Sequence, residues 1–174
     1  EQAFSKALTH TTVPAEVCSN LSDLYYRMGR HAQAQQMAEQ SRTHAPNYAP
    51  AHVNLGNAQH ALGDLAGARS GYADAIKIDP ALASAHINLA SLLNDAGELT
   101  EAEKMGRQAV QLAPTSAHAV SNLAHILQDQ GKLHEAVALY RQAIDLDPLL
   151  FAARSNLLFC LNYLNDISPQ ERMR

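Results

Sequence analysis

The chain has 174 residues and a formal net charge of −4, so it lacks the excess of basic residues by which proteins bind nucleic acid. It is 47% hydrophobic but only 5% aromatic, which is typical of helices that pack through alanine and leucine. No apolar run reaches the ~18 residues of a membrane span, and no segment has the features of a signal peptide. Neither nucleic acid nor a membrane is therefore expected as a partner.

The sequence repeats itself with a period of 34 residues. An Asn-Leu pair keeps this period, and its asparagines are Asn20, Asn54, Asn88, Asn122 and Asn156. Glycine and proline keep it too, at Gly29, Gly63, Gly97 and Gly131 and at Pro46, Pro80, Pro114 and Pro148. Self-similarity of this length predicts a solenoid of stacked repeats.

The repeats divide the chain into segments from the N-terminus to the C-terminus. These are the outer helix of an incomplete repeat at 1–14, four complete repeats at 15–48, 49–82, 83–116 and 117–150, the inner helix of a partial repeat at 151–166, and the start of a following helix at 167–174. Ser168 is predicted to be the N-cap of that helix, because proline follows it and a glutamate lies three residues on. We expect these incomplete ends to belong to a fragment of a longer polypeptide.

Each complete repeat is predicted to be a pair of helices. In the second repeat the inner helix runs from about Ala51 to Leu62 and the outer helix from Leu65 to Ile78. Gly63 supplies the left-handed residue that reverses the chain between them. Pro80 ends the outer helix, because proline disfavours helix in the residue before it.

The positions of small, aromatic and proline residues resemble those of the tetratricopeptide repeat (TPR) family. The second repeat meets the family pattern with Leu55, Gly56, Ala68, Tyr72, Ala75 and Pro80. The resemblance implies an all-α fold, a right-handed superhelical solenoid of antiparallel helix pairs. The first complete repeat departs from the pattern at Ala38 and Ser41, so its outer helix is expected to pack most weakly.

The two cysteines, Cys18 and Cys160, lie in the first complete and the last repeat of the predicted stack. Repeats contact their neighbours alone, so these thiols are predicted to remain unpaired and buried. Free thiols are typical of a reducing compartment, and a cytoplasmic location is therefore expected.

Positions 2, 6, 9 and 13 of each repeat lie on the inner helix, when Ala49 is counted as position 1 of the second repeat. They share a face distinct from the buried stripe and together form a polar row. The resemblance places this row on the concave side of the array. Its candidate peptide-binding residues are Asn20, Asn54, Asn88, Asn122, Asn156, Asn57, Asp95, Asp129 and His125. An asparagine amide offers both a donor and an acceptor, which suits the backbone of an extended peptide. The two aspartates favour basic or hydroxyl-bearing segments.

The same asparagines have a structural interpretation, in which their amides bond within or between inner helices and fix the stacking. This alternative stays open on the sequence alone. Other chemistry is less well supported. The nine histidines include no pair at the i, i+4 spacing of a helical metal site, and no phosphate loop, nucleophile elbow or paired cysteine motif occurs. The segment is therefore not expected to be an enzyme or to hold a cofactor or metal.

A narrower resemblance concerns the parent protein. The segments Ala51–Asn57, Ala85–Ser91, Val120–Ala124 and Glu135–Ile144 are similar to repeats of O-linked N-acetylglucosamine transferases. Arg154–Tyr163 with Asp166–Glu171 resembles the junction in SPINDLY-type bacterial relatives. The resemblance implies that an asparagine ladder recruits protein substrates and that a catalytic region outside this chain uses UDP-GlcNAc. The alternative is a generic scaffold for multiprotein assembly, including self-association through the terminal helices.

Overall fold

The structure, a computed structural model, describes residues 14–166. Within this range the chain forms nine α-helices and no strand. They are α1 (Ala15–Arg27), α2 (His31–His44), α3 (Ala49–Ala61), α4 (Leu65–Ile78), α5 (Ala83–Asp95), α6 (Leu99–Leu112), α7 (Ala117–Asp129), α8 (Leu133–Leu146) and α9 (Phe151–Asp166). The helices predicted within 1–13 and 167–174 lie outside the described residues, and so do the terminal contacts proposed for self-association.

The chain forms two compact units, Glu1–Ala85 and His86–Arg174. In the first unit α1 packs on α2, α3 packs on both α2 and α4, and α1 also contacts α3. In the second unit α7 packs on α6 and α8, and α9 packs on α8 and contacts α7. Each unit is thus built from helix pairs in which inner helices lie beside one another.

Glycine ends the inner helix of each pair, as the sequence predicts. Gly63 has φ of 85° and Gly131 has φ of 77°, in the left-handed region that glycine adopts without steric cost. Asp64 then caps α4, because its carboxylate accepts a hydrogen bond from the backbone N–H of Gly67 at 2.9 Å. The bounds of α4 agree with the prediction, whereas α3 begins at Ala49, two residues earlier than expected.

A close helix contact explains why the second repeat needs a small residue at Gly56. A Cβ atom there would lie 2.6 Å from Cε1 of Tyr72 on α4, so the tyrosine ring occupies the space that a larger side chain would fill. Tyr72 and Leu55 are both buried in this contact. The aromatic residue and the small residue of the repeat pattern are therefore two halves of one packing interaction.

The first complete repeat replaces that aromatic contact with hydrogen bonds. Ser41 of α2 donates to the backbone oxygen of Ala15 at 2.6 Å, and Ser22 of α1 donates to that of Ala34 at 2.8 Å. Both hydroxyls are on buried side chains. Hydrogen bonds thus join α1 and α2, where the sequence pattern indicated only weak apolar packing. That α2 packs most weakly stays a prediction, which a stability measurement would test.

The core of the second unit centres on the contact of α7 with α8 and α9. Its fully buried members include Val120, Leu127, Tyr140 and Cys160. Cys18, in the first unit, is buried as well, and neither thiol is in a disulfide. The prediction of free, buried thiols is confirmed. Burial raises the pKa of both, so both are protonated at neutral pH.

Candidate functional site

The polar row lies on the inner helices and is accessible along its length. Among its members Asn20, Asp95 and Asp129 are exposed, and Asn54, Asn57, Asn88, Asn122, His125 and Asn156 are half-buried. The leucines that follow the asparagines at positions 55, 89 and 123 are buried instead. Adjacent residues of one helix thus serve different surfaces, because a step of one residue turns the side chain by about 100°.

Asn54 links two inner helices of the first unit. Its side-chain nitrogen donates to the backbone oxygen of Ser19 and to the Ser19 hydroxyl, each at 2.9 Å. Ser19 is only 2% exposed, so water does not replace these bonds easily. At this position the structural interpretation of the asparagine is realised, whatever further contacts its oxygen makes. Asn20, the corresponding residue of the preceding repeat, is exposed.

Amide side chains of the inner helices also accept hydrogen bonds from buried tyrosines of the outer helices. The Tyr72 hydroxyl donates to Asn57 Oδ1 at 2.9 Å in the first unit, and the Tyr140 hydroxyl donates to Gln128 Oε1 at 2.9 Å in the second. Burial raises the pKa of both tyrosines, so each remains a neutral donor. The bond from Tyr72 connects the interior of its helix pair to the polar row, of which Asn57 is a member.

Asp129 is held by a neighbouring inner helix in the second unit. The side-chain nitrogen of Asn94 on α5 donates to Asp129 Oδ2 at 2.6 Å. His125, one turn earlier on α7, places Nδ1 3.8 Å from the same oxygen. Asn94 is 8% exposed and its Oδ1 atom has no hydrogen-bond partner. The carboxylate is thus fixed in position and still reaches the surface.

Asn122 and Asn156 are two of the three row asparagines of this unit. Asn122 has a buried Oδ1 atom without a hydrogen-bond partner, an acceptor that nothing in the protein satisfies. Asn156 lies close enough to Tyr140 for its side chain to hydrogen-bond the hydroxyl. The row asparagines therefore differ in their bonding, although they are identical in sequence and in repeat position.

Sequence reasoning missed two residues that make hydrogen bonds beside this surface. Asn94 donates to the Asp129 carboxylate, and Gln128 accepts hydrogen bonds from Tyr140 and Cys160. Both lie at repeat position 12, and this shared position was the signal that could have found them. Phe159 and Tyr163 occupy row positions on α9 and are 57% and 55% exposed.

A groove lies between α6 and α8 of the second unit. Val110 and Leu139, on α6 and α8, line a groove of about 460 Å³ whose floor includes Leu123. Arg107 closes its rim with an ion pair to Glu135 at 3.3 Å. This groove is separate from the polar row, which lies on the inner helices.

The described residues show neither a metal centre nor a membrane segment. Within 14–166 no group of three or more histidine, cysteine, aspartate or glutamate side chains is arranged to hold a metal ion. No helix of this same range is long and apolar enough to cross a membrane.

Comparison with protein families identifies the class. Residues 20–83 and residues 81–148 each match a family described as tetratricopeptide repeat. Together the two matches cover most of the chain, which therefore belongs to the tetratricopeptide repeat family. The predicted all-α TPR solenoid is confirmed, and the chain has the fold of a protein-interaction array.

Solved structures share this fold. The chain is 25% identical to TTC0263, a thermophilic TPR protein in Thermus thermophilus, with a TM-score of 0.79 over 91% of this chain and 87% of that one. It is 19% identical to pilF of Pseudomonas aeruginosa, with a TM-score of 0.81 over 87% of this chain and 69% of that one.

A third similar structure is MamA, residues 41 to the end, from Desulfovibrio magneticus RS-1. The identity is 22% and the TM-score is 0.72, over 87% of this chain and 86% of that one. No curated protein matches the chain. The narrower resemblance to O-linked N-acetylglucosamine transferases has no support among these matches and stays a proposal.

Proposed function

We propose that the inner helices of each unit bind an extended segment of a partner protein along the polar row. The observation that supports this most directly is accessibility, because all nine candidate side chains are exposed or half-buried. Asn20, which is exposed, offers an amide oxygen as an acceptor. A peptide backbone supplies N–H donors at regular intervals, and these can satisfy such acceptors whatever the side chains of the peptide are.

The spacing of the helices also suits an extended peptide. Inner helices that contact one another lie about 8–10 Å apart. An extended chain advances about 3.3 Å per residue, so corresponding row positions meet about every third peptide residue. Asn54 takes part through its oxygen, since its nitrogen is engaged by Ser19. The proposal therefore requires the Asn54 side chain to bond both the neighbouring helix and the peptide. The structural and the peptide-binding interpretations are compatible at this position.

The test is a double variant in the second unit, Asn88→Ala with Asn122→Ala. Peptides of about twelve residues, long enough to span about 40 Å, are selected from a random display library on the wild-type chain. We expect the double variant to lose at least tenfold in affinity for a selected peptide, measured by fluorescence anisotropy, with an unchanged melting temperature.

The matched control is Gln36→Ala with Gln142→Ala, which removes two exposed amides from outer helices. It should leave the affinity unchanged. Lost stability with unchanged affinity in the Asn88→Ala, Asn122→Ala variant would show that these asparagines serve the stacking alone.

For the parent protein we propose the substrate-recruiting arm of an O-GlcNAc transferase-like glycosyltransferase. The support is the resemblance of the repeats and of the segment Arg154–Tyr163 with Asp166–Glu171 to that family. The catalytic residues and the UDP-GlcNAc site would then lie outside this chain. The encoded sequence after Arg174 tests this, because a two-lobed glycosyltransferase region supports it and further repeats or a stop codon refute it.

A generic assembly scaffold is the second candidate, and one observation favours it. Leu149, Phe151 and Leu158 are highly exposed, and they are outside the polar row. Apolar side chains of this kind are typical of protein interfaces. If Phe151→Ala, Leu158→Ala abolishes capture of a partner that Asn88→Ala, Asn122→Ala still binds, the scaffold interpretation is correct.

A further inference from the structure

We infer that the row of the second unit, where α7 meets α9, selects a peptide segment in which an arginine or lysine stands next to an apolar residue. This rests on the proposed function, since it specifies the ligand of the same face. Three features carry it: a fixed carboxylate, two exposed aromatic rings and the absence of competing lysine or arginine side chains from the row. The row of the first unit does not combine these three features.

Gln128 of α7 is joined to both α8 and α9 by hydrogen bonds. Its Oε1 atom accepts from the Tyr140 hydroxyl at 2.9 Å and from the Cys160 thiol at 3.3 Å. Asp129 follows Gln128 on α7, and Phe159 precedes Cys160 on α9. Asp129 and Phe159 are therefore each one residue away from a contact that joins the two helices.

The carboxylate of Asp129 is available to a ligand. It is 37% exposed, and the 2.6 Å bond from Asn94 orients it without neutralising its charge. Lys132, the nearest lysine in the sequence, is engaged elsewhere by an ion pair of 2.7 Å with Glu103. The row residues of α7 and α9 include no lysine or arginine. They are His118, Asn122, His125, Asp129, Ala152, Asn156, Phe159 and Tyr163.

The aromatic rings supply the second half of the site. Phe159 and Tyr163 are one helical turn apart and more than half exposed. The face of an aromatic ring attracts a cation, and its surface also packs against the methylene stem of arginine or lysine. A guanidinium held between Asp129 and these rings pairs with the carboxylate and also contacts the aromatic faces. The next peptide residue extends over the remaining apolar surface.

Other ligand chemistries fit this surface less well. An acidic segment would meet the Asp129 carboxylate with like charge. A purely apolar segment would leave that carboxylate partly desolvated without a partner. In the first unit the corresponding positions of α3 are Asn57 and Ala61, which offer neither a ring nor a charge. The row of α3 therefore lacks this selectivity.

The experiment uses three synthetic peptides of about twelve residues in a Gly/Ser/Thr background, long enough to cross the face in extended form. One carries a central Arg-Leu pair, one Glu-Leu and one Arg-Ser. Affinity is measured by titration of amide shifts in ¹⁵N-labelled protein, which detects even millimolar binding. The carboxylate and ring contacts are each worth about threefold, so Arg-Leu should bind about tenfold tighter than Glu-Leu, with shifts at Asp129, Phe159 and Tyr163.

Variants assign the effect to residues. Asp129→Asn should bring the Arg-Leu and Glu-Leu affinities within about threefold of each other, and Phe159→Ala should weaken Arg-Leu binding about threefold. The matched control is Asp145→Asn, an exposed carboxylate on α8, which should leave the affinities as in the wild type.

Three results overturn the inference. They are equal affinity of the wild type for Arg-Leu and Glu-Leu, no binding of any peptide at millimolar concentration, or equal effects of the control and site variants. A library-selected peptide that depends on Asn88 and Asn122 but shows no preference for basic residues would refute this selectivity and leave the proposed function intact.

Discussion

Removing the Asn54 amide should destabilise the first unit by about 1–3 kcal/mol. Asn54→Ala breaks two hydrogen bonds of 2.9 Å to Ser19, each worth about 0.5–1.5 kcal/mol net. Because Ser19 is 2% exposed, its oxygen atoms regain few water contacts, which places the loss toward the upper part of that range. Asn20→Ala, the same change at an exposed position of the preceding repeat, should cost less than about 0.5 kcal/mol.

Urea unfolding followed by helical circular dichroism measures both changes. With a slope of about 2 kcal/mol per molar, Asn54→Ala should lower the midpoint by about 1 M. The curves are fitted with a nearest-neighbour repeat scheme, since stacked repeats need not unfold in one step. Equal losses for Asn54→Ala and Asn20→Ala would refute the reasoning, as would full additivity of Asn54→Ala with Ser19→Ala, because bonded residues couple.

Three further predictions concern packing, charge and backbone. Leu123→Ala, at a buried position, should cost about 2–5 kcal/mol, and the half-buried Leu157 should lose less; equal losses in urea unfolding would contradict the burial difference. Hydrogen bonding to Lys132 lowers the pKa of Glu103 from 4.5 to about 2, so its stabilisation is complete above about pH 5 and is lost as pH falls towards 2. Lys132→Met should therefore reduce the fall in melting temperature between about pH 5 and pH 2. The same pH dependence of the melting temperature as in the wild type would refute the assignment. Gly63→Ala should cost about 1 kcal/mol through its φ of 85° alone, since a Cβ meets nothing within 4 Å; a neutral result by thermal melting would exclude backbone strain.

The repeat period was sufficient to predict the helices and the faces they present. Gly63 and Pro80 mark local backbone requirements, so the ends of α4 could be predicted from the residues at those points alone. The buried leucines and the accessible asparagines follow from helical periodicity, which depends only on spacing along one chain. These features are local, and local features are what a sequence pattern reports most directly.

The hydrogen-bond partners of these side chains could not be predicted from the sequence, because they lie on other helices. Asn54 bonds Ser19 and Asn94 bonds Asp129, contacts between helices more than thirty residues apart in the chain. Their formation depends on how far one inner helix is shifted along its neighbour, which periodicity leaves undetermined. His52 gives another instance, because its ring nitrogen hydrogen-bonds the Pro46 oxygen at 2.8 Å and the side chain is buried.

The two buried thiols make this chain convenient for chemical labelling. Cys18 and Cys160 have no exposed surface, and burial raises the pKa of each, so little reactive thiolate forms at neutral pH. A cysteine introduced at an accessible row position such as Asn20 should react with a maleimide well before either native thiol does. Probes or photo-crosslinkers can thus be placed along the polar row without first removing the native cysteines, whose replacement would disturb the core.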